Sequence, residues 1–253
     1  MIEILILSLV QGITEFLPVS SSSHLILISK FVNFENQGLS IDVSLHIGSF
    51  IAVLTYFYKD IFNFFENRKL FIKIIISSIP VILIGYVLVR TNFIEEIRNI
   101  KVIAWMTIVF GILLYISDRF KLKKEIKTNF DFKAALIIGF FQAISLIPGV
   151  SRSGITITAA RLLNFKRFDS AKISFLLSIP TLAAVSIYGL NNIFTQEDLD
   201  FSIINLFSIF ISFLFSFFTI KFFLGFIQKF NLNLIIYYRI ILGVVLLYFA
   251  YLQ

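Results

Sequence analysis

Six stretches of the chain, at about 40–58, 71–90, 101–117, 172–190, 202–220 and 236–252, each run for roughly 17–20 residues with almost no charge. Each is long enough to cross a hydrocarbon layer of ~30 Å as an α-helix, and far too long for a barrel strand. Within a bilayer every backbone N–H and C=O needs a partner in its own segment, so only helices fit. The fold class that follows is an all-α, polytopic membrane protein. Composition agrees: 58% of the 253 residues are hydrophobic and 15% are charged, against about 25% charged in soluble domains. A soluble enzyme, a disordered regulator and a fibrous protein are thereby excluded. Residues 1–253 read as a single integral-membrane domain. The chain has no Cys, which excludes disulfides, thiolate metal sites and Cys nucleophiles. Met1-Ile2-Glu3-Ile4 lacks the basic region that opens a cleaved signal peptide, so the N-terminus is read as mature.

Two further apolar regions do not read as simple spans. Residues 3–29 are interrupted by Pro18 and the serines Ser20 to Ser23, and residues 134–163 by Pro148-Gly149 and Ser151-Arg152-Ser153-Gly154. Each predicts a helix, a break and a second short helix, the pattern of a re-entrant hairpin. The net charge of +7 sits mainly in short loops, which points to the cytoplasmic face of a membrane and not to nucleic acid. With 59–73 cytoplasmic and 134–163 re-entrant, the loops 59–73, 118–133, 166–172 and 221–239 carry 16 of the 22 Lys and Arg. The opposite face has only Lys30, Arg90, Arg98 and Lys101. The two hairpins then enter from opposite faces and meet near the midplane. Six spans plus two oppositely oriented hairpins make an inverted repeat, which places a binding site where the breaks meet.

Both breaks end in serines that open a short helix. A helix N-terminus offers unpaired N–H groups and partial positive charge, so it attracts anions. Two of them beside Arg152, whose planar fork suits phosphate oxygens, predict a phosphate-seeking pocket. Glu15, His24 and Arg152 lie at membrane depth, where an ionised group costs ~2.5–3.5 kcal/mol and tends to be functional. Gln11 lies one helical turn before Glu15, and the pair could present oxygens to a cation or a water. Arg161 is read as snorkelling to the cytoplasm, and His46, near the start of a span, as a packing residue.

The two motifs, Q-G-I-T-E-F-L-P-V-S-S-S-S-H at 11–24 and P-G-V-S-R-S-G-I-T at 148–156, closely resemble the signatures of the undecaprenyl pyrophosphate phosphatase family, the bacitracin-resistance proteins. The resemblance extends to L-H-I-G-S-F-I-A-V at 45–53 and I-S-F-L-L-S-I-P at 173–180. It implies hydrolysis of undecaprenyl pyrophosphate to undecaprenyl phosphate, the carrier lipid of peptidoglycan synthesis. It also implies a bacterial inner-membrane location, a site open to the extracytoplasmic side and support by a divalent cation, Mg²⁺ or Ca²⁺. The catalytic residues it implies are Ser21, His24, Glu15 and Arg152. Ser151, Arg152, Ser153, Thr156 and Ser22 would bind phosphate, and Glu15 and Gln11 a metal. Some members carry Glu where this chain has Gln11, which weakens a two-carboxylate metal site. Ser21 would attack the terminal phosphorus while His24 or Glu15 moves protons, with direct attack by water as the alternative. A secondary transporter or lipid flippase for an anionic substrate is the competing function, since opposed broken helices suit that role equally.

Overall fold

The computed structural model describes residues 2–31, 38–66, 68–91, 96–120, 123–195 and 203–252. Twelve principal helices run through them: α1 (Ile2–Thr14), α2 (Ser21–Phe31), α3 (Leu39–Tyr56), α4 (Tyr58–Glu66), α5 (Arg68–Arg90), α6 (Ile100–Asp118), α7 (Ile126–Asn129), α8 (Phe132–Ile144), α9 (Arg152–Leu162), α10 (Arg167–Thr195), α11 (Ile203–Lys229) and α12 (Asn233–Leu252). Three described starts are capped by side chains that satisfy an otherwise orphaned N–H, those of α6, α8 and α9. Asn99 accepts from Val102 N at 2.9 Å before α6, and Asp131 accepts from Ala134 N at 2.7 Å before α8.

Among the described residues six helices are long and apolar enough to cross a membrane: α3, α5, α6, α10, α11 and α12. They are the six spans expected from hydropathy. Their outer faces carry a belt of exposed apolar side chains, including Leu83, Ile187, Phe222 and Ile241, which a bilayer solvates and water does not. The chain is a multi-pass membrane protein. α12 begins several residues earlier than expected, and α11 runs on to Lys229. The expected basic loop 221–239 therefore shrinks to Phe230–Leu232, and Arg239 lies inside α12 rather than in a loop.

The two regions expected to break do so. α1 and α2 are joined through residues 15–20, α8 and α9 through 145–151. Helix packing is exchanged between two halves. α1 packs on α11 as α8 packs on α5, α3 on α11 as α10 on α5, and α9 on α6 as α2 on α12. α3·α10 and α6·α12 are the two contacts that map onto themselves. The halves are thus α1–α6 and α8–α12, each with one broken pair and three spans.

The α3·α11 contact is closed by small polar residues, as helix contacts in lipid often are. Ser49 Oγ lies 3.3 and 2.9 Å from Ser212 Oγ and Ser216 Oγ, and Ser212 Oγ donates to Leu45 O at 2.7 Å. Gly48 lets the backbones touch: a Cβ there would strike Ile209 O and Ser212. At one end of the bundle Asp118 gathers four segments. It pairs with Arg161 at 3.1 Å and Arg167 at 2.8 Å, and accepts from Leu232 N at 3.3 Å. Arg161 is 3% exposed and also donates to three backbone carbonyls. It is structural, but it is buried rather than snorkelling.

Adding a side chain at the α3·α11 crossing should overpack it. Gly48→Val is expected to lower stability by about 1–3 kcal/mol in detergent thermal melts. Gly225→Ala, where a Cβ meets nothing within 4 Å, should leave the melt unchanged or slightly raised.

Candidate active site

Each break turns on a serine with left-handed backbone: Ser20 at φ 76° and Ser151 at φ 72°. A residue bearing a Cβ rarely adopts that conformation, so the surroundings must hold it there. Ser151 caps the short helix it opens, while the Ser20 hydroxyl pairs with a side chain of its own helix's first turn. Ser151 Oγ accepts from Gly154 N at 3.1 Å, and Ser20 Oγ lies 2.8 Å from Ser23 Oγ. In sequence, aligning Ser20 with Ser151 also aligns Gln11 with Gln142, and puts Ser21 and Arg152 at the same first helical position.

The side chain that joins the breaks is Arg239. It is 0% exposed. Nη1 donates to Pro18 O at 2.9 Å, Nη2 to Gly149 O and Val150 O at 3.0 Å each, and Nε to Thr107 O at 3.4 Å. The Pro18, Gly149 and Val150 carbonyls have lost helical partners at the breaks, and Arg239 supplies the missing donors; Thr107 O belongs to the unbroken helix α6. A second stitch runs from Ser153 Oγ to Leu17 O at 2.8 Å. Gly149, at φ 96°, is needed because a Cβ there would meet Ile103 O.

Between the breaks lies a pocket of about 60 Å³ lined by Thr14, Glu15, Ser20, Ser21, Ser145, Ser151 and Arg152. Glu15 is its hub. Oε1 accepts from Arg152 Nη2 at 2.5 Å; Oε2 accepts from Ser21 Oγ at 2.6 Å and Gln11 Nε2 at 3.1 Å. The other guanidinium nitrogen, Arg152 Nη1, has no protein partner. Two guanidiniums and two helix N-termini against one carboxylate leave the break region electropositive and anion-seeking. The Glu15–Ser21 geometry suits a carboxylate that takes a hydroxyl proton.

The expected residues divide. Glu15, Ser21, Ser151 and Arg152 converge on the pocket. His24 stands behind it: Nδ1 lies 2.7 Å from Ser20 O and Nε2 2.6 Å from Tyr238 OH. That arrangement orients the Ser20 turn and leaves Ser21 to Glu15. Ser153 is occupied by Leu17, and Thr156 Oγ1 lies 2.7 Å from Ser174 Oγ, between α9 and α10. Neither lines the pocket. The side chain of Ser22 lies outside the described residues. Sequence reasoning missed Ser145, Arg239, Tyr238 and His46, whose Nδ1 lies 3.1 Å from Gln11 Nε2.

A resident divalent cation does not fit the expected pair. Hard cations take oxygen ligands, but Gln11 turns its N–H₂ toward Glu15, whose oxygens already accept from three donors. No three His, Asp or Glu converge on a metal position among the described residues.

A family described as bacitracin resistance protein BacA matches residues 4–245. The chain is 50% identical over 251 residues to an undecaprenyl-diphosphatase of Pelagibacter ubique (strain HTCC1062), covering 99% of this chain and 98% of the relative. It is 41% identical over 250 residues to an undecaprenyl-diphosphatase of Saccharophagus degradans (94% and 93% covered), and 36% identical over 259 residues to one of Jannaschia sp. (97% of both).

Removing Arg239 should leave the three buried break carbonyls of Pro18, Gly149 and Val150 short of donors, each at about 1–3 kcal/mol. Arg239→Met is expected to lower the melting temperature sharply. Arg239→Lys should recover only part of the loss, because an ammonium cannot reproduce the fork.

Proposed function

The chain belongs to the bacitracin resistance protein BacA family, and we propose that it acts as an integral-membrane undecaprenyl-diphosphatase whose reacting groups are Ser21, Glu15 and Arg152. It hydrolyses undecaprenyl diphosphate to undecaprenyl phosphate and phosphate, returning the carrier lipid to peptidoglycan synthesis. The observation that carries the residue assignment is the 2.6 Å bond from Ser21 Oγ to Glu15 Oε2, in a pocket shared with Arg152.

The terminal phosphate enters between the two helix N-termini. Arg152 turns from Glu15 to the phosphate oxygens, where charge is held through the transfer. Freed of its ion pair, Glu15 takes the Ser21 proton as Oγ bonds to phosphorus. The anhydride P–O bond breaks, and undecaprenyl phosphate leaves with the proton that Glu15 passes on. A water then attacks the phosphoserine, Glu15 takes its proton, and Ser21 Oγ recovers one as phosphate departs. Ser151 and Ser145 hydroxyls steady the phosphate. His24 keeps the Ser20 turn in place through its bonds to Ser20 O and Tyr238. A divalent cation would be brought by the diphosphate substrate, where it would offset phosphate charge, since the described residues gather no three His, Asp or Glu to hold one. A flippase or transporter role is not favoured, because the curated relatives are named as phosphatases.

The lipid tail lies in an apolar groove of about 360 Å³ between α5 and α10, lined by Val81, Ile82, Tyr86, Val185 and Tyr188 among others. Leu146, which also lines it, is next in sequence to Ser145 of the pocket. The two hairpins return to their own faces, so three spans per half turn the second half upside down. The excess of Lys and Arg in 59–73, 118–133 and 166–172 supports a cytoplasmic location for those segments in the bacterial inner membrane. The N-terminal hairpin and the pocket mouth then face the extracytoplasmic side.

Phosphate release by the purified protein tests the assignment. Ser21→Ala should abolish turnover while diphosphate binding survives, and Ser22→Ala should keep most of it. Arg152→Lys should fall by at least ~100-fold, as arginines at transferring phosphoryl groups do. Near-normal turnover in folded Ser21→Ala would hand the attack to water, with Glu15 as its base.

The groove makes a separate forecast. A Cβ at Gly85 would lie 3.4 Å from Leu146 Cδ2, so Gly85→Trp should fill the groove. KM for the long-chain diphosphate should rise, with turnover of a short, water-soluble prenyl diphosphate unchanged. Equal losses on both substrates would place the tail elsewhere.

A further inference from the structure

His46 lies on α3, far from either motif, yet its ring reaches the hub of the pocket through one intermediate. Gln11 is 0% exposed. Its Nε2 lies 3.1 Å from Glu15 Oε2 and 3.1 Å from His46 Nδ1, while its Oε1 is buried without a protein partner. A carboxylate only accepts, so the atom facing Glu15 must be the amide nitrogen. That nitrogen carries two hydrogens. One goes to Glu15, and the other has only His46 Nδ1 before it. Nδ1 must therefore accept, which places the imidazole proton on Nε2. The opposite amide orientation would set a carbonyl oxygen against the carboxylate.

We infer that His46 is a positioning residue for the phosphatase reaction: by accepting from Gln11 it locks the amide that aims Glu15 Oε2 at Ser21. The inference rests on the roles proposed above for Glu15 and Ser21. Oε2 has two lone-pair directions. Gln11 occupies one, which leaves the other pointed at Ser21 Oγ. Without an acceptor at position 46 the buried amide keeps an unpaired N–H, loses its second anchor and can swing away from Oε2. Glu15 then rotates toward Arg152, and the Ser21 hydroxyl loses its base. Arg152 on α9 and Glu15, the first residue after α1, are the charged groups at this junction, and Asp42 lies one turn earlier on α3. The lock depends on hydrogen-bond direction, not on the charge of any of them.

The test replaces the acceptor while watching the partition between kcat and KM. His46→Leu should lower kcat by about 10-fold or more, the scale of a misplaced catalytic group, with KM changed less than about 2-fold. His46→Asn sets an amide oxygen near the Nδ1 position and should recover most of the loss. His46→Met, apolar and unbranched, gives the same comparison where leucine fails to pack. In a Gln11→Leu background the His46→Leu change should add less than about 2-fold, because its effect passes through Gln11. Equal rates for His46→Leu and His46→Asn, or a full additional loss in the Gln11→Leu background, would overturn the inference. So would normal kcat in His46→Leu with Glu15→Gln inactive. High activity in Glu15→Gln would instead strike at the reaction scheme itself.

Discussion

Arg239 is a cation with no exposed surface, placed where two interrupted helix pairs cross and bonded to four backbone carbonyls. A break in a membrane helix exposes carbonyls that lipid cannot satisfy, and each is costly. One guanidinium has five donors in a fixed plane, enough to serve Pro18, Gly149, Val150 and Thr107 together. No carboxylate is among its hydrogen-bond partners. Its charge therefore adds to that of the two helix N-termini. The group that makes the broken backbone tolerable also makes the pocket attractive to a diphosphate.

The two halves share backbone geometry but not chemistry. Ser20 and Ser151 have almost the same φ, and each opens a short helix. At the next position one half offers a hydroxyl, Ser21, and the other a guanidinium, Arg152. Glu15 of the first half touches both. The corresponding glutamines also differ. Gln11 is bonded to Glu15 and His46, whereas Gln142 has no side-chain partner. The same divergence holds between spans. α3·α11 is closed by serines and Gly48, while its counterpart α5·α10 leaves an apolar groove. A shared scaffold with unlike side chains permits one oriented site on what would otherwise be a symmetry axis.

Hydropathy made the six spans and both breaks legible, because lipid imposes length and apolarity one residue at a time. The motif residues that reach the pocket, Glu15, Ser21, Ser151 and Arg152, were legible for a related reason: ionised and hydroxyl groups stand out in an apolar sequence. Direction was not legible. Ser153 and Thr156 sit in the same motif, but helix phase turns their hydroxyls to Leu17 O and Ser174. Arg239 counts with the basic loop 221–239, although the apolar window opens at 236, because its charge stands near the edge of that window; the helix in fact starts at Asn233. His46 falls in the stretch 45–53 that shares the family resemblance, but nothing local to it points to Gln11. Its partner is 35 positions away, and only the packing of α3 on α1 brings them together.

The groove beside α5 lies between two helices long and apolar enough to cross a membrane, and its lining is almost wholly apolar. A lipid that enters there arrives by lateral diffusion, so the quantity governing encounter is its mole fraction in the leaflet. Molar concentration in the bulk has no direct meaning for such a substrate. Adding inert lipid or detergent to a fixed amount of protein and substrate slows encounter by thinning the two-dimensional mixture. Any apolar chain in the membrane becomes a competitor in proportion to its abundance. Selectivity then falls to the polar end of the groove, where only a molecule ending in phosphate finds partners.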